Sequence, residues 1–252
     1  MKILLLGHKG YLGSYLNKNL EVDFLKERKI YNNGKEYDYV INCIGKPNLE
    51  YCESNPEETN YSNYEIIKDI TLFYPNSKII NFSSYYVYDD FGYCTEESNT
   101  TKKYKYCEQK LNGENLIKNG VSFRIGKLFG HNDLLKQNKL TEYIIKNDEL
   151  TLDNVSFNPT SLSQVLKILE FEIKNNTLFG VYNLSNYGNE THYNYGCYIN
   201  NLLGGSKKIT QLDKINRNFS NYGKFLMSTE KLNKIYKLTP WQTDVKNYIQ
   251  SL

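Results

Sequence analysis

"MKILLLGHKGYLGSYL", residues 1–16, sets an apolar tetrad, Ile3 to Leu6, directly before Gly7-x-x-Gly10-x-x-Gly13, and then enters a helical pattern. Each glycine has a physical use in that order. The first permits a tight turn, the second lets backbone approach a pyrophosphate, and the third lets the helix lie close on the strand. The helix then opens with unpaired N–H groups and the positive end of its dipole, both suited to an anion. A glycine triplet alone says little. Placed after a first strand and at a helix start, it predicts a dinucleotide site. Gly7, Lys9, Gly10, Tyr11, Leu12 and Gly13 are expected to line it.

The rest of the first half extends this pattern. Apolar runs at Ile3 to Leu6, Val22 to Leu25, Tyr39 to Cys43, Ile79 to Phe82 and Val121 to Ile125 read as buried strands. Stretches 11–20, 54–72 and 105–118 read as helices. Strands separated by helices imply βαβ units and a parallel sheet. The second half is less regular. "SLSQVLKILEFEIK" predicts a helix over 161–174, with Leu162, Val165, Leu166 and Leu169 on one face and Asn158-Pro159-Thr160 as the loop before it. A strand at Val181 to Leu184 and helices near 191–202, 229–236 and 241–251 follow. The fold expected is α/β, a doubly wound parallel sheet with a smaller, mostly helical C-terminal lobe. The sheet domain takes residues 1–127, rejoined by 155–180. The lobe takes 128–154 and 181–252.

Composition narrows the partners. The 252-residue chain has a formal charge of +3 and no long basic run, which argues against nucleic acid. No apolar run approaches the roughly 20 residues that span a bilayer. The opening decapeptide is too short and too soon broken by glycine for a secretory signal. Five cysteines without a C-x-x-C pair predict reduced thiols and a cytoplasmic protein. Three scattered histidines offer no metal-ligand spacing, so no metal is expected. The chain contains no alanine, while Asn, Lys, Ile and Tyr abound. With 24 tyrosines present, a tyrosine is informative only by its position.

Three further stretches carry chemistry. "IINFSSYYVYDD", 79–90, ends a strand in Ser83 and Ser84, at the carboxyl edge where open α/β sheets bind ligands. "YKYCEQKLNGE", 104–114, places Tyr106 and Lys110 four apart on one helical face. A phenol with pKa near 10 needs a cation beside its phenolate to exchange protons at neutral pH, and Lys110 is the candidate. Tyr104 has Glu108 at the same spacing, which would not help it. "NCIGKP", 42–47, is a strand end and loop that would pass beside a dinucleotide, with Cys43, Ile44 and Gly45 as contacts.

These pieces, in this order, resemble the extended short-chain dehydrogenase/reductases, and most closely the dTDP-4-dehydrorhamnose reductase branch. The resemblance runs along nearly the whole chain. It includes "NPEETNYSN" ending at Asn63, "FRIGKLFG", "NPTSLSQV", "GVYNLS" and "LMSTEKLNKIYKLTPWQTDVKNYI". It implies a Rossmann-type sheet and hydride delivery from NAD(P)H to the C4 ketone of a nucleotide-linked 4-keto-6-deoxyhexose. Ser84 would bind the carbonyl oxygen. Tyr106 would protonate the developing alkoxide, with Lys110 lowering its pKa and holding the nicotinamide ribose.

The same resemblance assigns Tyr85, Tyr86, Lys127, Lys136, Asn158, Pro159 and Thr160 to the substrate. Tyr86 stands where related dehydratases carry an acid, which favours a plain reductase. Lys136 falls about where bifunctional epimerase/reductases place a base. Lys127 stands where the reductases often have tryptophan against the sugar, which implies a different sugar or substituent. No carboxylate ends the second strand. Lys26 and Arg28 stand near it instead, favouring NADP, with NAD left open. The segment from Leu25 to Tyr37 is too short for the usual helix and extra strand. The expected partner is a nucleotide-diphosphate sugar, with a homodimer as one candidate assembly. A bifunctional 3,5-epimerase/4-reductase and a non-catalytic NADP-binding regulatory subunit are the competing readings.

Overall fold

A computed structural model of the chain describes residues 1–25, 29–89, 92–130, 139–212 and 225–252. The order opens with β1 (Ile3–Leu6), α1 (Tyr11–Asn19) and β2 (Tyr39–Asn42). Helices α2 (Leu49–Ser54), α3 (Pro56–Asn60) and α4 (Ile66–Phe73) lead to β3 (Lys78–Ser84). Then come β4 (Gly92–Cys94), α5 (Lys105–Leu116), β5 (Gly120–Ile125) and β6 (Lys127–Phe129). Helix α6 (Lys139–Lys146) precedes β7 (Glu149–Asp153), β8 (Ser156–Phe157), β9 (Pro159–Ser161), α7 (Leu162–Asn175) and β10 (Gly180–Leu184). The chain closes with β11 (Glu190–Thr191), α8 (His192–Leu202), β12 (Lys208–Leu212), β13 (Phe225–Met227), α9 (Glu230–Asn233) and α10 (Trp241–Gln250).

The central sheet has the order β1-β2-β3-β5-β10. β1, β2 and β3 run parallel in register, so that Leu6, Asn42 and Asn81 form one row. Every residue of these three strands is buried, as a sheet covered by helices on both faces requires. The chain gathers into two compact units. One comprises Met1–Tyr88, Asn99–Arg124 and Leu169–Tyr182; the other comprises Asp89–Ser98, Ile125–Ile168 and Asn183–Leu252. The first has a core that includes Leu4, Leu6, Val40, Ile66, Ile67, Ile70 and Ile79. The second is centred on Phe129, Ile144, Leu152, Phe157, Tyr195 and Trp241, and holds the small pairings β4–β13, β6–β9, β7–β12 and β8–β11. Among the described residues no helix is long and apolar enough to cross a membrane.

The structure corrects four sequence expectations. The strand at Val22 to Leu25 shrinks to a single parallel bridge, Leu4 to Asp23, closed by Leu5 N–H to Asp23 O and Asp23 N–H to Ile3 O, each 2.8 Å. Asp23 is a poor strand residue, and its carboxylate turns to Lys35 Nζ (2.8 Å) and the Tyr37 hydroxyl (3.1 Å). Described residues 29–37 form neither helix nor strand. The helix expected over 54–72 starts at Pro56 and runs on from α3 through a π turn at Tyr61–Glu65 into α4. Pro56 sets that start, because proline pushes Asn55 out of the helical region. The helix expected over 229–236 keeps only four residues. The strands β6 to β9 of the second unit have two to five residues, too few for an alternation to show in the sequence.

Candidate active site

The glycine turn is built as its spacing predicts. Gly7 has φ +80°, and the Gly10 N–H closes the turn onto Gly7 O at 2.8 Å. A Cβ on Gly13 would fall 2.1 Å from that same carbonyl, and one on Gly7 would fall 2.9 Å from the Cys43 carbonyl carbon. Both positions exclude a side chain. Gly10 is the N-cap of α1, with no side-chain cap and no acidic residue in the first turn. The orphan N–H groups there are left for an anion. Leu12 and Gly13 are buried, Tyr11 is half-buried and Lys9 exposed. Beside the turn, His8 stacks on the half-exposed ring of Phe24, with centroids 4.3 Å apart and planes at 29°. Burial, and then the charge of Lys9, holds the imidazole below its ordinary pKa. Neither aromatic carried a sequence signal.

Cys43 and Ile44 lie against Gly7, and the loop beyond them is tied down by Asn63. The Asn63 carboxamide accepts from Lys46 N–H (2.8 Å) and donates to Lys46 O (3.2 Å) and Gln109 Oε1 (2.9 Å). Gln109 in turn donates to Pro56 O at 3.0 Å. The wide π turn sets Asn63 inward, 1% exposed; such bulges recur at functional sites. Sequence reasoning noted Asn63 only as the end of a motif. Below the loop, Asn42 donates to Asn81 Oδ1 (3.0 Å) and Asn81 to Ser122 Oγ (3.2 Å), a polar rung across β2, β3 and β5.

At the end of β3, Ser84 accepts from Tyr86 N–H at 3.2 Å, and its hydroxyl is close enough to the Tyr106 phenol to act on that group's pKa. Tyr106 and Lys110 point inward from α5 and are 4% and 6% exposed; Tyr104 is only the N-cap of that helix. Lys110 Nζ donates to Phe82 O at 3.0 Å and lies 6.0 Å from the Tyr106 ring centroid. Burial raises the phenol's pKa, opposed by the Ser84 hydroxyl. Burial also pushes the Lys110 ammonium down to about 8, with Glu114 opposing. The Cys43 thiol is pushed up by burial.

Two observations fit this pocket to a polar cofactor. The Ser83 hydroxyl is buried and, among the described residues, has no hydrogen-bond partner. A Cβ on Gly45 would sit 3.2 Å from Lys110 Nζ, so the glycine keeps space beside the ammonium. Tyr85 and Tyr86 stack at 4.3 Å in the following 3-10 turn, which Cys107 Sγ anchors by donating to Tyr86 O at 3.1 Å. Gly7, Cys43, Gly45, Lys110, Tyr106, Ser84 and Tyr86 thus form one connected constellation.

The remaining residues belong to the second unit. Lys127 Nζ is 3.1 Å from His192 Nε2, and His192 Nδ1 is 2.6 Å from Asp153 Oδ1. Asp153 and His192 were not singled out from the sequence. Asn158 is buried and spends its carboxamide on Met227, donating to its O at 3.1 Å and accepting from its N at 2.8 Å. Pro159 and Thr160 are buried in β9, paired with Lys127 and Leu128 of β6. Lys26, Arg28 and Lys136 lie outside the described residues.

The family model described as "RmlD substrate binding domain" matches residues 1–252. No curated protein matches the sequence at a significant level. Among solved structures, a dTDP-4-dehydrorhamnose reductase from Clostridium acetobutylicum ATCC 824 aligns with TM-score 0.86 and 22% identity, over 100% of this chain and 99% of that one. A dTDP-4-dehydrorhamnose reductase from Bacillus anthracis str. Ames, in complex with NADP, aligns at 0.82 and 16%, over 100% of both chains. A UDP-N-acetylglucosamine 4-epimerase from Methanobrevibacter ruminantium M1 aligns at 0.79 and 16%, over 99% and 97%. At these identities the structural likeness is one of fold.

Proposed function

Because this chain belongs to the RmlD substrate binding domain family, we propose that it is an NADP-dependent reductase of the C4 ketone of a nucleotide-linked 4-keto-6-deoxyhexose. The observation that carries this reading is the buried chain Ser84–Tyr106–Lys110 beside the Gly45 loop. Gly7, Gly10 and the start of α1 take the pyrophosphate. Lys110 and Ser83 face the nicotinamide side, and Cys43, Ile44 and Gly45 line the path between. Bound NADPH supplies the hydride.

The protein's own groups manage the oxygen. Ser84 hydrogen-bonds the carbonyl oxygen, in exchange for part of its present bonding. Tyr106 is protonated at neutral pH, since burial raises its pKa, and hands its phenolic proton to the oxygen as negative charge develops. Lys110 is the cation nearest that phenol on its helix face, and it limits the charge left on Tyr106. Tyr85 and Tyr86 serve the sugar as an aromatic wall. In the second unit Lys127, held by His192 and Asp153, serves sugar recognition, while Asn158, Pro159 and Thr160 hold the backbone beneath it. The NADP in the Bacillus anthracis structure supports the choice of cofactor.

The test is oxidation of NADPH and NADH with dTDP- and UDP-4-keto-6-deoxyglucose by wild type and Tyr106→Phe. Oxidation by wild type that the variant loses supports the reductase. Cofactor binding without turnover on any 4-keto sugar would instead favour the regulatory-subunit reading.

A further inference from the structure

Helix α5 repeats its pattern once beyond the catalytic pair. Tyr106, Lys110 and Glu114 are spaced by four, so they share one face, and Glu114 is buried like the other two. Its carboxylate is gripped by Arg124 of β5, with Nε to Oε1 at 3.1 Å and Nη2 to Oε2 at 2.7 Å. Arg124 is itself fixed, its guanidinium carbon 4.9 Å from the ring centroid of fully buried Tyr88. This two-point bond fixes where the negative charge sits.

We propose that Glu114, pinned by Arg124, is a positioning residue that keeps the buried Lys110 charged. The inference deepens the reductase reading, because Lys110 matters to turnover only there. Its physical basis is simpler. A buried ammonium loses water's stabilisation and recovers it only from nearby negative charge or polar groups. The groups facing Lys110 are Tyr106 and Glu114 on its own helix, Cys52 on α2 and Cys43 after β2. Both thiols carry raised pKa values from burial and are neutral near pH 7. Tyr106 is neutral as well. Glu114, in its ion pair with Arg124, is therefore the anion that serves Lys110, and Arg124 holds it in place.

The experiment follows Lys110 directly, by the pH titration of its 13Cε-lysine NMR signal, assigned with K110R. In E114Q the Lys110 midpoint is expected to fall by about one pH unit, the effect of losing one close opposite charge. R124K keeps the charge of the pair but loses the fork. It should lower the Lys110 midpoint by less than E114Q does, because the charge stays while its placement loosens; a midpoint identical to wild type would count against pinning by Arg124. If E114Q does not fold, the double variant E114L/R124M replaces the pair with apolar groups, a change that buried ion pairs often tolerate. It should move the midpoint in the same direction. A Lys110 midpoint unchanged in the folded E114Q or double variant overturns the proposal. Because the signal needs no substrate, a shifted midpoint in a protein that reduces no 4-keto sugar would sink the reductase reading and leave this one standing.

Discussion

Lys110 Nζ lies 3.2 Å from the point where a side chain on Gly45 would begin, and Asn63 Oδ1 lies 3.5 Å from the same point. The loop after β2 therefore rests against the ammonium through bare backbone, and one methyl group is enough to disturb it.

Gly45→Ala should leave the melting temperature nearly unchanged, because the atom it meets is the end of a flexible side chain. A displaced ammonium is a different matter for turnover, since a misplacement of about 1 Å can cost about 100-fold. Turnover of a 4-keto sugar is expected to fall by about 10- to 100-fold. A variant as active as wild type would show that the loop does not constrain Lys110.

Asn63→Ala leaves Lys46 N–H, Lys46 O and Gln109 Oε1 without their present partner. Lys46 is exposed and its backbone groups can turn to water, but Gln109 Oε1 is buried, and a buried group abandoned in this way costs about 1–3 kcal/mol. Urea melts should report a loss of about 1–3 kcal/mol, with weaker NADPH binding by titration. Loss of stability with unaltered cofactor affinity would separate Asn63 from the loop's function.

The sign of the Lys110 shift predicts a pH dependence of folding. Its folded pKa, about 8, is below the ordinary lysine value of 10.5, so between these values the unfolded chain binds more protons. The contribution of Lys110 to stability therefore rises with pH from about 8 to 10.5. Urea melts at pH 7.5 and 9.5 should show a smaller gain, or a larger loss, in Lys110→Met than in wild type. Turnover should decline above about pH 8 as the ammonium is lost. Identical pH dependence in wild type and variant would contradict this.

Asp153→Asn should act on the sugar and not on the cofactor. It removes the charge that orients His192 and, through it, Lys127. A rise of about tenfold in KM for the nucleotide sugar, about 1.4 kcal/mol, is expected with NADPH affinity unchanged. Equal loss of both affinities would point to damage of the unit as a whole.

Much of the first unit was legible because its chemistry follows local rules. The glycine spacing dictates its own turn, and Tyr106, Lys110 and the strand-end serines are fixed by helical and strand periodicity. The misses have other causes. Asn63 is one asparagine among many, and a π turn has no apolar period to betray it. Asp153, His192 and Lys127 meet across 39 and 65 residues of sequence, a distance no spacing rule covers. Val22 to Leu25 has the composition of a strand, yet Asp23 spends its side chain on Lys35 and Tyr37.

The interleaving of the two units bears on how the protein is made. The first unit draws on Met1–Tyr88, Asn99–Arg124 and Leu169–Tyr182, so it has no contiguous gene fragment. On the ribosome, the edge strand β10 of the central sheet cannot be laid down until residue 184 has emerged. The glycine turn made first must wait with an unfinished sheet for most of synthesis. A chain cut short before α7 lacks both that helix and β10, so its central sheet ends on an unpaired edge at β5.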